Sequence, residues 1–274
     1  MPVTQFSVGR VIGRGFGIFL GNFGRFLPVI LATSIPLVVV LVLFPSQQAG
    51  SDSSGDVSFD VNFALDNASG IIGFLVSTVT YCWLSAGVTF GVVSTLRGSN
   101  PGGVEVLVRS LRSVPRLILL VLVLWLLSAL LMIPLILLAL IPVVGFFIGL
   151  GLCFWLLIMI WLSVPAVVVE SIGPFAALKR SRFLTKGHRW RVAAILLILF
   201  VLMMIAVIGL MLVLLAVGTA VDISSSNTIA GAIIFAVIQS MLMGLGASMT
   251  AVGYHDLRVE KEGVGTEEIA RVFD

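Results

Sequence analysis

The sequence predicts an all-α fold: a polytopic transmembrane helical bundle of six spans arranged as three hairpins, with cytoplasmic interfacial amphipathic helices. Three observations lead there. Of 274 residues, 59% are hydrophobic and only 11% charged, far less charge than the surface of a water-soluble chain of this size carries. The apolar residues gather into six runs of bilayer length, since roughly 20 helical residues cross a hydrocarbon layer of about 30 Å. All the cations lie outside those runs and on one side of them.

Taken in order, residues 7–21 form an amphipathic segment. Val8, Ile12, Phe16, Phe19 and Phe23 share one helical face, with Arg10 and Arg14 away from it. A helix resting in the interface would sink the Phe face into acyl chains and offer its arginines to head groups. Gly9, Gly13, Gly17 and Gly21 recur every fourth residue, a smooth stripe that suits close approach of another helix. The same segment also reads simply as the lead-in to the first span.

The spans are expected at 26–44, 71–96, 117–141, 146–169, 192–217 and 228–252, within a single membrane domain covering 1–274. The first run is too long for a cleaved secretory leader and is expected to remain as a span. A polar external loop, 45–69, follows it. Within that loop, residues 56–63 roughly alternate and suggest a short strand. Pro142-Val143-Val144-Gly145 reads as a tight turn joining the third and fourth spans into a hairpin. Residues 253–274 form a tail. Amphipathic segments at 7–21, 103–111 and 174–185 each precede a basic turn and a span, a weak threefold repeat of the kind expected of parallel units.

Orientation follows from the cations. Arg10, Arg14 and Arg25 precede the first span. Arg97, Arg109, Arg112 and Arg116 lie between the second and third. Lys179, Arg180, Arg182, Lys186, Arg189 and Arg191 lie between the fourth and fifth, and Arg258, Lys261 and Arg271 follow the sixth. These are all 16 Lys and Arg of the chain. The opposite side carries Asp52, Asp56, Asp60, Asp66 and Asp222 and no cation. The positive-inside rule then expects both termini in the cytoplasm. Cations in short juxtamembrane loops meet anionic head groups first, so membrane phospholipids, and not nucleic acid, are the expected partners of the basic balance.

The expected spans hold no Asp, Glu, Lys, Arg or His. Proton- or ion-coupled transport and voltage sensing depend on intramembrane charge, so both classes are disfavoured. His188 and His255 are the only histidines and stand outside metal-ligand spacing. No catalytic residue, metal or cofactor is expected. Cys82 and Cys153 read as small apolar packing residues. Glu170, just past the fourth span, is expected to pair with Lys179 or Arg180. Of the prolines at 28, 36, 134 and 165, Pro134 is the best candidate for a functional bend.

Two stripes remain. Ser77, Tyr81, Ser85 and Thr89 recur every fourth residue in the second span. They serve either interhelical hydrogen bonding or the polar wall of a lipid- or substrate-conducting groove. In the sixth span Thr228, Ala232, Ala236, Ser240, Gly244 and Ser248 form a small-residue seam. It suits packing against a span of this chain or against a homo-oligomeric or other protein partner in the membrane. Gln239 beside the seam must face protein or water, which makes it a further groove candidate.

Three stretches carry a resemblance: Val164-Pro-Ala-Val-Val-Val-Glu170, Gly173-Pro-Phe-Ala-Ala-Leu-Lys-Arg-Ser181 with Leu184-Thr-Lys-Gly-His-Arg-Trp190, and Tyr254-His-Asp-Leu-Arg258 with Glu260-Lys-Glu-Gly263 and Val272-Phe-Asp274. Together they resemble a bacterial multi-span family labelled as the membrane domain of glycerophosphoryl diester phosphodiesterase. The resemblance implies a standalone membrane domain, since the family's metal-binding catalytic barrel has no counterpart here. It also implies a link to glycerophosphodiester or phospholipid metabolism. Independently of it, the candidate lipid- and phosphate-binding residues are Arg10, Arg14, Lys179, Arg180, Arg182, Lys186, Arg189, Trp190 and Arg191. The expected function is non-enzymatic binding of anionic phospholipid or glycerophosphate compounds at the inner-membrane surface, as an accessory, scaffold or lipid-handling factor. The alternative is an uncoupled transporter or scramblase with its groove along the second span.

Overall fold

A computed structural model of the chain describes residues 7–43, 68–139, 142–221 and 229–262. These residues fold into helices, and no strand occurs among them. In chain order the helices are α1 (Val8–Gly21), α2 (Phe23–Leu43), α3 (Ala68–Leu96), α4 (Gly103–Leu111), α5 (Val114–Ala139), α6 (Pro142–Ile160), α7 (Ser163–Glu170), α8 (Pro174–Thr185), α9 (Arg189–Val221) and α10 (Ile229–Glu262). Six stretches are long and apolar enough to cross a membrane, so the chain is a multi-pass membrane bundle. The expected strand at 56–63 and nearly all of the loop around it lie outside the described residues, as does the tail beyond 262.

Short helices α1, α4 and α8 stand where the amphipathic segments were expected. The structure corrects one expectation near the spans and adds detail to two others. Pro142 opens α6 instead of lying in a turn; proline suits a first helical turn because its missing N–H would have no helical partner there. The expected tail begins as helix, for α10 runs ten residues past Val252 to Glu262, with Arg258 and Glu262 paired one turn apart. The third point concerns where a span is interrupted. Helix α5 passes through Pro134 without interruption, and the fourth span instead breaks at Trp161–Leu162, ahead of Pro165.

Serine hydroxyls meet several of the backbone groups at the break. Pro165 has no N–H to offer the carbonyl of Trp161. Leu162 N–H donates to Ser181 Oγ on α8 at 3.1 Å, and Ser181 Oγ–H donates to Met159 O at 2.6 Å. Ser163 Oγ–H closes on Ile160 O at 2.5 Å. One serine from a neighbouring helix thus supplies partners for Leu162 N–H and Met159 O beside the break.

The bundle has a tight and a loose half. In the tight half α2 lies against α3 with side chains sunk onto glycine. A Cβ added at Gly87 would stand 2.7 Å from Val29, and one at Gly91 2.6 Å from Phe26. Helix α1 runs antiparallel to α10: Phe19 lies by Gly244, Gly15 by Met249 and Val11 by Gly253. Ser248 Oγ–H donates to Gly15 O at 2.9 Å. In the seam of the sixth span Gly244 and Ser248 therefore face α1 of the same chain, Gly244 also meeting Val88 of α3, and Ser240 is buried. This also corrects the expected faces of α1. Val11, Gly15 and Phe19 are its buried residues, while Gly9, Gly13, Gly17 and Gly21 would meet nothing within 4 Å if they carried a Cβ. The trough on α10 and the Arg14–Asp256 ion pair at 3.4 Å set that rotation. In the loose half, α5 and α6 form a hairpin and α9 stands apart, touching α1, α6 and α10 sparingly.

Candidate functional site

The basic segment after the fourth span folds as α8, a turn, and the start of α9. Ser171, in the left-handed region at φ 53°, ends α7, and Pro174 opens α8. The buried face of α8 is Pro174, Ala177, Ser181, Leu184 and Thr185. Its other face is exposed and mixes Phe175 and Phe183 with Lys179, Arg182 and Lys186. Gly187, at φ 93°, then lets the chain reverse into α9, where Trp190 is 87% exposed.

Arg180 behaves differently from its neighbours. Its Nε donates to Glu170 Oε1 at 2.8 Å, and its Nη1 pairs with Glu262 Oε1. Tyr254 OH donates to the same Glu170 oxygen at 2.5 Å, and Arg258 Nε reaches the other oxygen of Glu262 at 3.1 Å. Hydrogen bonding to Glu262, opposed by partial burial and reinforced by Glu170, pushes the Arg180 guanidinium above its already high ordinary pKa. Lys261 Nζ donates to the carbonyls of Phe183 and Lys186, each at 2.5 Å, and so caps the end of α8. His188 Nε2 lies 3.3 Å from Glu260 Oε1. The helical extension of α10 is thus a clamp on the α8–α9 turn. The expected pairing of Glu170 with a basic neighbour resolves to Arg180, which is tied up inside the protein rather than offered to a phosphate. Arg14 is likewise turned toward Asp256.

Arg189 sits in a third environment. A lateral cleft of about 280 Å³ opens between α6 and the start of α9. Arg189 lies in it with Cζ 5.7 Å from the ring centre of Trp155. Its Nε is buried and has no hydrogen-bond partner among the described residues. A buried donor in that state costs about 1–3 kcal/mol. Trp190 stands at the rim.

The hydroxyl stripe of the second span meets a second lateral cleft, of about 340 Å³, between α3, α7, α9 and α10. Tyr81, Ser85 and Thr89 line it, and Thr250 on α10 joins them. Ser77 and Gln239 lie outside its lining. Trp161 and Val164, from either side of the Leu162 break, form part of the wall. Sequence reading missed them because Pro165 alone does not say that a helix breaks. Arg189, Ala193, Leu196, Phe200 and Met203 of α9 line one cleft or the other at spacings of four, three, four and three, so a single face of α9 looks onto both.

Among the described residues no three His, Cys, Asp or Glu side chains converge as metal ligands. Comparison of the chain with protein-family models, curated proteins and solved structures finds no match.

Proposed function

We propose that this chain is a non-enzymatic inner-membrane protein that gathers anionic phospholipid, or a glycerophosphate compound, at its cytoplasmic face, as an accessory, scaffold or lipid-handling factor. One observation carries the reading. Exposed Phe175, Phe183 and Trp190 interleave with exposed Lys179, Arg182 and Lys186 on one short stretch of surface. Aromatic side chains of this kind favour the head-group level. Each nearby cation adds about 1 kcal/mol of attraction to an anionic leaflet. The clamp from α10 supports the reading, since it fixes the backbone of this surface through Arg180 and leaves the outer cations facing away. The resemblance noted in the sequence points to the same phosphate chemistry.

The test is lipid analysis of protein reconstituted in nanodiscs of mixed phosphatidylglycerol and phosphatidylcholine at matched salt. Replacing Lys179, Arg182 and Lys186 by Gln should lower the phosphatidylglycerol enrichment around the protein. Equal enrichment in both proteins would reduce these cations to a topology signal. Orientation is tested in intact cells, with Cys82 and Cys153 replaced by Ala. A cysteine at Asp56 should react with an impermeant reagent and one at Lys186 should not. Labelling of both from outside would overturn the six-span orientation.

A second reading, an uncoupled transporter or scramblase, is favoured by the hydroxyls that line the larger cleft. It expects lipid exchange between leaflets in proteoliposomes, slowed when Ser85 and Thr89 are replaced by Val.

A further inference from the structure

We propose, building on the anionic-lipid reading above, that the cleft between α6 and α9 is a specific site for one anionic phospholipid, with Arg189 holding its phosphate.

The guanidinium is aimed by its surroundings. Trp155 supports it from one side at 5.7 Å, a cation–π distance, and Arg189 is the one charged side chain among the described residues that line the cleft. Arginine meets phosphate through parallel N–H···O bonds, and these charge-assisted bonds strengthen where water is excluded. An anionic phosphate head is therefore the partner this lone cation fits.

The rest of the cleft selects an amphiphile. Phe154, Trp155 and Ile158 of α6 and Ala193 of α9 form its apolar wall. The flanking positions Leu150, Leu157 and Leu197 are exposed at 59%, 53% and 57%, as side chains facing acyl chains are. Gly151 lies in the wall, and a Cβ there would meet nothing within 4 Å, so room is left beside α6 for a chain. Trp190 at the rim marks the head-group level. Among the described residues no carboxylate lines the cleft, so none of them receives the ammonium of a zwitterionic head, whereas an anionic head satisfies Arg189 without a counterpart. The inorganic anion alone would leave the apolar wall unused.

The experiment counts retained lipid by native mass spectrometry of the whole chain in mild detergent. Phosphatidylglycerol, phosphatidylcholine and inorganic phosphate are offered in separate arms at matched ionic strength. The wild type should keep one phosphatidylglycerol per chain. R189Q should lower that occupancy about tenfold, the order expected for losing a charge-assisted bond to phosphate. G151L should lower it as well by filling the wall, with an unchanged melting temperature, which keeps the test decisive if R189Q folds poorly. Single-lipid occupancy that survives both substitutions overturns the site. So does equal retention of phosphatidylcholine, or displacement of the lipid by free phosphate. The Lys179, Arg182 and Lys186 variant should keep the single lipid while losing general enrichment. Enrichment without a single retained lipid would leave the surface reading standing and remove this site.

Discussion

The two halves of the bundle use different residues to live in the same solvent. Over its apolar stretch α3 is 44% buried within the protein, against 11% for α5 and 17% for α9. The buried half is built on small residues: Gly87 and Gly91 of α3 receive Val29 and Phe26, and Gly15 of α1 receives Met249. The exposed half is rich in leucine, as at Leu122, Leu126 and Leu130. Lipid tails are as apolar as leucine, so hydrophobicity gives helices no reason to leave lipid for each other. Close backbone approach and hydrogen bonds do. The difference teaches that glycine and serine, and not hydropathy, mark the protein-facing surfaces here.

The largest effect is expected where that distinction is sharpest. Gly15 and Gly17 lie on the same helix, yet a Cβ at Gly15 would stand 2.7 Å from Met249 Cγ and 3.0 Å from its Cα, while one at Gly17 meets nothing within 4 Å. The Met249 backbone cannot step aside as a side-chain end can. Gly15→Leu should cost about 3 kcal/mol or more and abolish monodisperse yield in detergent. Gly17→Leu should leave yield and melting unchanged. Similar behaviour of the two variants would dissolve the contrast between the halves.

A smaller loss is expected where the halves join. Ser181 partners two backbone groups beside the break, accepting from Leu162 N–H and donating to Met159 O. Ser181→Ala leaves both groups buried without them, which should cost about 1–3 kcal/mol as a lowered melting temperature. Ser181→Cys, which retains a weak donor and acceptor, should fall between alanine and wild type. An alanine variant as stable as wild type would mean that the break is held by packing alone.

Much of this was legible in the sequence, and the failures share one cause. Apolar runs sufficed for the spans. Hydroxyl spacing brought out Tyr81, Ser85 and Thr89, and small-residue spacing brought out Ser240, Gly244 and Ser248. Periodicity reports which residues share a face, however, and not what that face meets. The Gly9–Gly21 stripe looked like an association surface, but the close approach falls at Gly15. Pro165 resembles Pro28, Pro36 and Pro134 in the sequence. What singles it out is a hydrogen-bonding serine that reaches Leu162 from 19 residues along the chain. Arg180 and Arg189 likewise look alike until α10 returns to bind the first and Trp155 stacks under the second.

The clamp at the basic end should matter less than the joint. Glu262 binds Arg180 and Arg258, yet its side chain is 24% exposed, so solvent screens part of the interaction. Glu262→Gln keeps the shape and one acceptor and should cost about 1 kcal/mol. High salt should narrow the gap from wild type. A larger loss, insensitive to salt, would show that the extension of α10 is part of the core and not a clamp laid over it.

The smallest effect is expected on the exposed half, and its smallness is the informative outcome. Leu126 is 73% exposed and Leu130 63%, one turn apart on α5. Where a leucine faces lipid, cutting it to alanine exchanges one apolar contact for another and leaves no cavity, because acyl chains flow into the space. The double variant Leu126→Ala, Leu130→Ala should therefore melt within about 0.5 kcal/mol of wild type, as surface substitutions do. If α5 instead lies against a second copy or another membrane protein, the same change removes a packed surface. It would then lower the apparent oligomer mass in detergent while the isolated chain stays folded. Size-exclusion with light scattering separates the two cases, since only the second moves mass without moving the melting of the monomer. An unchanged mass and an unchanged melt together would assign the leucine face of α5 to lipid.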